Sequence, residues 1–528
     1  MQSVLDAFSV EAYDTTRYVT QSTKLAWKKD YRSDITFFTI GVSRIGGSDV
    51  IPGGAGVQSE WNKYIYNDES DYILGLGVDR GLNLPLGGMT KALAEAKLDN
   101  TSGRYTPRYM GGNSELFTAI LPRRPITISS GFKVGGVDYN LPQFVGVLDK
   151  MPELNVASRT VKLSAVDFIE YLQNRYVDNS SMFTNQRSDE VIETLLTQLG
   201  FATSQYELDA GINRIGFGLF ETGAKFADII DQIVKAEYGH FYQDEEGKLR
   251  FENRQHWTNY PYNNVQRVIT TGQVLNAGVP KEDHIINVVE VKASPREVQA
   301  NQIVWQASGY GGGGIIELAA NADTEAWANY NDPMFSIDTP VANGTVGQTS
   351  YYVANSQQDG SGLDMTSSVG VKRIDNFAQA SKITFTNTSS SVLYLVTLDI
   401  WGRPARKTGD IYYRNSYDSS ITAFEERPIT IENNYIQSAS QAETIANMVL
   451  EDFSQPENLQ ELRIRALPEL QLGDLISWQG RYWRIYDIKS TIDSSSGYVQ
   501  DLKLVQRDIK TYFRIGVSLI GGEDVISP

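Results

Sequence analysis

The chain has 528 residues, 41% of them hydrophobic and 11% aromatic, which is enough apolar surface to build packed cores and rules out bulk disorder. Its 47 basic and 64 acidic residues leave a net charge of −17, so wrapping nucleic acid by counterion release is disfavoured, although a non-sticky surface could let it pass. It contains no cysteine, which excludes disulfides, thiolate catalysis and Cys-ligated zinc or iron–sulfur sites.

At about 150 residues per domain the length suggests three or four domains. No window approaches the roughly 18 consecutive apolar residues of a membrane span. The start MQSVLDAFSVEAYD has neither a basic stretch nor an apolar core, so no cleaved secretory signal is expected. Residues 1–60 read as an N-terminal extension carrying FTIGVSRIGGSDVI from Phe38. The stretch FRIGVSLIGGEDVI from Phe513 repeats it, matching at 11 of 14 positions, and makes 511–528 a C-terminal copy of one strand–Gly-Gly–strand hairpin. The second copy reaches Pro528, from which a longer natural chain is expected.

Residues 61–180 are strand-rich, with an Asn/Ser/Gly turn after Leu98, a β segment from Arg123 to Ile128, a hairpin tip at Gly135-Gly136, and strands at Phe144–Leu148 and Thr160–Leu163. Ser164 is the expected cap of a short helix with Phe168, Ile169 and Leu172 on one face, closing a small β-barrel or sandwich. The period turns helical over 181–283. Ser188 and Thr222 are expected to cap two helices, and a hairpin follows with the acidic tip Asp244-Glu245-Glu246, giving an α+β module. Residues 284–435 form a β-sandwich-like domain with long Gly/Asn/Ser loops. In it Ile383–Thr386 and Val392–Ile400 read as paired strands, and Trp401-Gly402-Arg403-Pro404 as a turn. Over 436–510, Ser440 and Glu443 fit a capping box, and an antiparallel meander after the helix makes a second barrel with a helix.

Chemistry-bearing constellations are sparse. His240, His256 and His284 stand apart, with no i, i+4 pair and no metalloprotease or deaminase pattern. The Gly311–Gly314 run lacks the Lys-Ser/Thr and helix of a phosphate cradle, and Asp323–Asp338 lacks EF-hand spacing. Asp244, Glu245 and Glu246 are expected to be a solvated turn, where nothing raises a general acid's pKa. A glycoside hydrolase would need two acids about 5–10 Å apart in a cleft. Trp305, Tyr310, Trp327, Tyr330 and Phe335 cluster among polar loops. They read either as packing of those loops onto their own domain or as a carbohydrate-binding platform of Trp305, Tyr310, Trp327 and Tyr330. No catalytic, metal or cofactor-binding residue is expected, and the chain is not expected to be an enzyme.

Four stretches in order resemble the tail hub proteins of long-tailed bacteriophages, also called baseplate hub, tail-tip or tail-associated proteins. They are Lys97–Pro107 continued by Arg123–Ile128 and Phe144–Leu148; Phe226–Phe251 with GHFYQDEEGKLRF; Ile383–Pro404 closing on LDIWGRP; and Ser438–Val505 with LQLGDLI and YWRIYDIKSTIDSSSGYVQDLKLV. The resemblance implies a mainly β, multidomain fold with two tail-tube-like β-barrels, at 61–180 and 436–510. It implies a homotrimer whose six barrels ring the tail axis, adapting six-fold to three-fold symmetry. Implied partners are the distal tail protein and tail tube, the tape-measure protein, tail-tip or fibre proteins, and DNA that passes the lumen without specific binding. The place implied is the virion tail, assembled in the host cytoplasm. The alternative is a receptor- or carbohydrate-binding tail protein using the 301–435 loops.

Overall fold

The computed structural model describes residues 2, 8, 19–29, 64–107, 110–112, 114, 116, 119–177, 181–220, 223–259, 261–278, 285–307, 314–339, 351–455 and 459–507. Both copies of the repeated hairpin, Thr222, His284, Tyr310 and residues 311–313 lie outside them. The fold is mostly β and multidomain. Among the described residues no helix is long and apolar enough to cross a membrane.

One sheet runs through the first and the last β-modules. Its strand order is Val274–Ala277, Leu459–Arg465, Gly497–Gln506, Arg481–Asp493, Ile73–Gly81, Leu93–Asp99, Thr160–Val166, Val137–Leu148, Pro125–Val134, Val19–Lys29 and Tyr64–Asp68. Period-2 alternation fixes its faces. In Leu93–Asp99, Ala94, Ala96 and Leu98 are buried while Leu93, Glu95 and Lys97 are exposed. The hairpin tip at Gly135-Gly136 forms as the sequence predicts, with φ of 58° and 86° and Val134 opposite Val137.

The strand Val19–Lys29, drawn from the N-terminal segment, pairs antiparallel with Pro125–Val134 from Val19↔Phe132 to Leu25↔Ile126. Its Trp27 is buried and donates Nε1–H to Glu69 Oε1 at 2.9 Å. Buried Glu69 also accepts from the Tyr105 hydroxyl at 2.6 Å and from Arg104 Nε at 3.0 Å. The two β-modules interlock, because Phe132 and Leu141 of the first sit in the core of the last with Ile464, Trp483, Ile485 and Leu502. Phe8 joins them, its ring 5.4 Å from Phe132.

A helical core lies beside this sheet. Ile229, Ile230, Ile233 and Val234 of the helix Phe226–Glu237 pack with Val191, Leu195 and Leu196 of Ser188–Gln198. Ile445, Val449 and Phe453 of the helix Ala439–Phe453 complete the same core. The caps differ from the sequence expectation. Ser164 lies within the strand Thr160–Val166, and the short helix Ile169–Gln173 is started by Asp167, whose Oδ1 accepts from Ile169 N at 3.1 Å. Ser188 is already helical, and Glu190 bonds back to Arg187 N at 2.8 Å. For the last helix, Ser438 rather than Ser440 caps, accepting from Gln441 N at 3.2 Å.

Residues 294–410 are inserted between Val288–Ala293 and Ile411–Ser416, two strands that pair antiparallel from Val288↔Ser416 to Ala293↔Ile411. The insertion is a β-sandwich with its own core, built from Trp305, Leu318, Tyr330, Tyr352, Phe385, Leu395 and Ile400. One sheet is organised by the long strand Leu393–Lys407; the other is Ala322–Asn329, Ala380–Asn387 and Val369–Asn376. The two segments expected to pair with each other, Ile383–Thr386 and Val392–Ile400, therefore lie in opposite sheets and meet across the core. Residues 401–404 are not a turn: the strand continues to Lys407, with Gly402 opposite Gln302 on one side and Ile337 on the other. A Cβ at Gly402 would lie 2.6 Å from the Ser336 carbonyl oxygen, so only glycine lets the neighbouring strand approach this closely.

Candidate functional site

The junction between the two β-modules is the feature that most constrains function. Ile73–Gly81 pairs antiparallel with Arg481–Asp493, from Gly75↔Asp493 to Gly81↔Asp487. The sequence ILGLGVDRG encodes both faces. Leu76, Val78 and Arg80 turn inward, while Gly75, Gly77, Asp79 and Gly81 lie on the outer face. A Cβ at Gly81 would come within 2.9 Å of Asp487 Oδ2, so this glycine lets the partner strand's carboxylate sit against the backbone.

On the outer face, charged residues of alternating sign line up across the strands. Arg463 is opposite Asp501, Asp501 opposite Lys489, and Lys489 opposite Asp79, so one row crosses the junction. A second row runs Glu461, Lys503, Asp487. Lys503 Nζ is 3.3 Å from Asp487. Opposite charges directly across a ladder stabilise the pairing, and here they also fix its register.

The inner face is braced by buried ions. Arg80, only 2% exposed, pairs with Glu245, which also accepts from Gln471 Nε2 at 3.0 Å. Burial lowers the Arg80 pKa to about 10 against the opposing pull of nearby Tyr498, Tyr242, Asp244 and Asp474. Asp244 Oδ1 accepts from Glu246 N at 3.0 Å and Lys248 N at 2.9 Å, and its Oδ2 from Arg250 Nε at 2.8 Å. The acidic tip is thus not the solvated turn expected: Asp244 and Glu245 are buried, each on an arginine, and only Glu246 is exposed.

Two further arginines brace the last β-module. Arg484 stacks 5.2 Å over Trp257 and donates to the carbonyls of Gly473 at 2.6 Å, Tyr262 at 3.1 Å and Trp257 at 3.1 Å. Burial lowers its pKa to about 10. Arg507, just past the last strand, pairs with Asp452 of the helix Ala439–Phe453 and donates to the Tyr486 hydroxyl at 2.9 Å. Tyr238 donates to the same Asp452 at 3.1 Å.

The described histidines are structural in their surroundings. His240 stacks on Trp257 at 4.9 Å, and burial lowers its pKa to about 3. His256 Nδ1 lies 2.7 Å from Asp209 and Nε2 lies 3.4 Å from Glu252. Among the described residues no three His, Asp or Glu side chains are grouped to hold a metal ion. Of the four aromatic residues read as a platform, Tyr310 lies outside the described residues. Trp305 and Tyr330 are buried in the sandwich core, as the packing alternative expects, and Trp327 is exposed on an outer face. Sequence reasoning missed Arg80, Arg484 and Arg507; an arginine inside an otherwise apolar alternation, as in Val78-Asp79-Arg80, was the available signal.

No protein-family model matches the chain, and no curated protein sequence does. Among solved structures, it is similar to the 43 kDa tail protein of prophage MuSo2 from Shewanella oneidensis, at 11% identity and a TM-score of 0.43 over 85% of this chain and 97% of that one. It is similar to a tail protein from Neisseria meningitidis MC58, at 9% identity and a TM-score of 0.44 over 84% of this chain and 94% of that one. A third is the E. coli c3393 protein, a component of the type VI secretion system with structural similarity to the T4 tail proteins gp27 and gp5, at 9% identity and a TM-score of 0.36 over 83% of this chain and 74% of that one.

Proposed function

We propose that the chain is a structural component of a bacteriophage tail, a trimeric hub that closes the distal end of the tail tube. On this reading it adapts the six-fold tube to a three-fold tip, anchors tip or fibre proteins, and opens for the tape-measure protein and DNA. It acts through interfaces rather than bond chemistry, in the virion tail. The observation that carries the reading is the single sheet shared by the first and last β-modules. Two such modules joined edge to edge give each copy two consecutive wall segments, so three copies supply six. Its outer face fits a wall because it is polar, glycine-rich at the junction and laced with compensating charges.

Single-particle imaging of tail particles containing the chain tests this. The expected result is a three-fold ring with six barrel-like lobes around an axial channel or plug. Density confined to peripheral fibres would refute it.

A further inference from the structure

We infer that the inserted β-sandwich carries a saccharide-binding face centred on Trp327. This goes beyond the hub reading and does not depend on it. In the sheet Ala322–Asn329, Ala380–Asn387 and Val369–Asn376, directly opposed residues share a face. The inner rows, such as Ala326↔Ile383↔Ile374, close the core, so the outer rows are fixed as Trp327↔Lys382↔Asp375 and Glu325↔Thr384↔Arg373. Trp327 is 53% exposed on that face. Phe377 stacks beside it, ring centroids 5.8 Å apart at 14°, and Lys382 Nζ lies 5.9 Å from the indole centroid. Ion pairs hold the rim in place: Lys382 to Glu325 at 2.8 Å and Arg373 to Asp375 at 2.9 Å.

The chemistry of this face selects its occupant. The half-exposed indole, braced by the parallel ring of Phe377, offers an apolar surface, and every other side chain in these rows is a hydroxyl, carboxylate, ammonium or guanidinium. An apolar protein partner would want a contiguous hydrophobic patch with a desolvated centre, which these rows do not provide. Nucleic acid would meet Glu325 and Asp375. A pyranose has an apolar C–H face to lie on the indole and a rim of hydroxyls to bond the surrounding donors and acceptors. The sandwich is joined to the body through the paired strands Val288–Ala293 and Ile411–Ser416 and has its own core, so binding need not disturb the junction.

The test titrates the full-length protein with cellohexaose, maltohexaose and chitohexaose by calorimetry. At least one should bind saturably. Trp327→Ala should weaken it about tenfold or more, a change of roughly 1.4 kcal/mol, with thermal stability retained because the side chain is exposed. Phe335→Ala, an exposed aromatic elsewhere on the sandwich, should leave binding unchanged. The inference is overturned if none of the three binds at about 5 mM, the weak end expected for one aromatic contact, or if Trp327→Ala leaves binding intact. It is also overturned if Trp327→Ala instead abolishes self-association, which would make this face a contact between copies.

Discussion

Replacing Glu245 by Gln should destabilise the junction more than replacing Arg80 by Met, although the two side chains are partners. Both are nearly dry, with side-chain exposures of 2% for Arg80 and 5% for Glu245. The Glu245→Gln change removes the anion and leaves a guanidinium that no other described side chain accepts from, with Asp244 and Asp474 attracting it only through space. Arginine cannot shed its charge, so the expected loss is about 3–5 kcal/mol, the usual cost of orphaning one member of a buried pair. The Arg80→Met change leaves Glu245 with the Gln471 donor at 3.0 Å. A carboxylate can also neutralise itself by taking a proton, so the loss should be about 1–3 kcal/mol and should shrink in acid. Combining Arg80→Met with Glu245→Leu should be neutral or more stable than wild type by up to about 4 kcal/mol, since it removes two desolvation penalties together. Hydrogen exchange of amides between Ile73–Gly81 and Arg481–Asp493 reads the local opening free energy. Equal losses in the two single variants, or a double variant as weak as the worse single one, would refute this account.

Glycine substitutions should sort by what a new Cβ meets. Gly131→Ala would place it 1.9 Å from the Tyr139 carbonyl oxygen and should cost about 2 kcal/mol or more in a urea melt, whereas Gly77→Ala meets nothing within 4 Å and should be close to neutral. Ser438→Ala should cost about 1 kcal/mol through the lost cap, while Ser440→Ala should leave the melting temperature nearly unchanged. Burial pulls the His256 pKa down, but the Asp209 hydrogen bond and the Glu252 charge outweigh it and hold the pKa above the ordinary value. Its stabilisation is therefore full below pH about 6.5 and is lost as pH rises through the raised folded value. Asp167, pushed up to about 7 by burial, contributes a fall of the same sign. The difference in melting temperature between wild type and His256→Gln across pH isolates the histidine; a difference that stays flat would refute its charged role.

Local features were legible in the sequence and long-range pairings were not. The Gly135-Gly136 tip and the alternation in Leu93–Asp99 depend on neighbours along the chain, so the pattern reveals them. The helix start at 438 was displaced by two residues because Ser438 and Ser440 offer equal hydroxyls, and only the backbone geometry decides which accepts from the third amide beyond it. Asp244 and Glu245 looked solvated because acidic residues beside a glycine usually are. The burial of Glu245 depends on Arg80 and Gln471, which no local pattern links to it. Trp305, Tyr330 and Trp327 share composition and neighbourhood. Strand phase turns Trp305 inward on Gln302–Gln306 and Trp327 outward on Ala322–Asn329, while Tyr330, just past that strand, packs into the core.

The distribution of charge, more than its total, bears on how a wall would treat passing DNA. A net of −17 suggested repulsion by an acidic surface. Across the strand junction, however, Arg463, Asp501, Lys489 and Asp79 alternate in one row, and Glu461, Lys503 and Asp487 in the next. Charges of opposite sign on adjacent strands stand about 5 Å apart, well inside the roughly 8 Å Debye length at physiological salt, so their fields largely cancel before reaching a molecule in solution. A wall of this kind avoids holding a phosphate backbone by presenting no net cationic track, and it needs no strong anionic field to do so. The same rows favour one register of the seven-residue pairing Gly75–Gly81 with Asp487–Asp493, since a two-residue slip would set Asp79 against Asp487 or Thr491 in place of Lys489. Low stickiness and a fixed junction then follow from one arrangement of side chains, and the excess acidity of the chain must reside largely outside these rows.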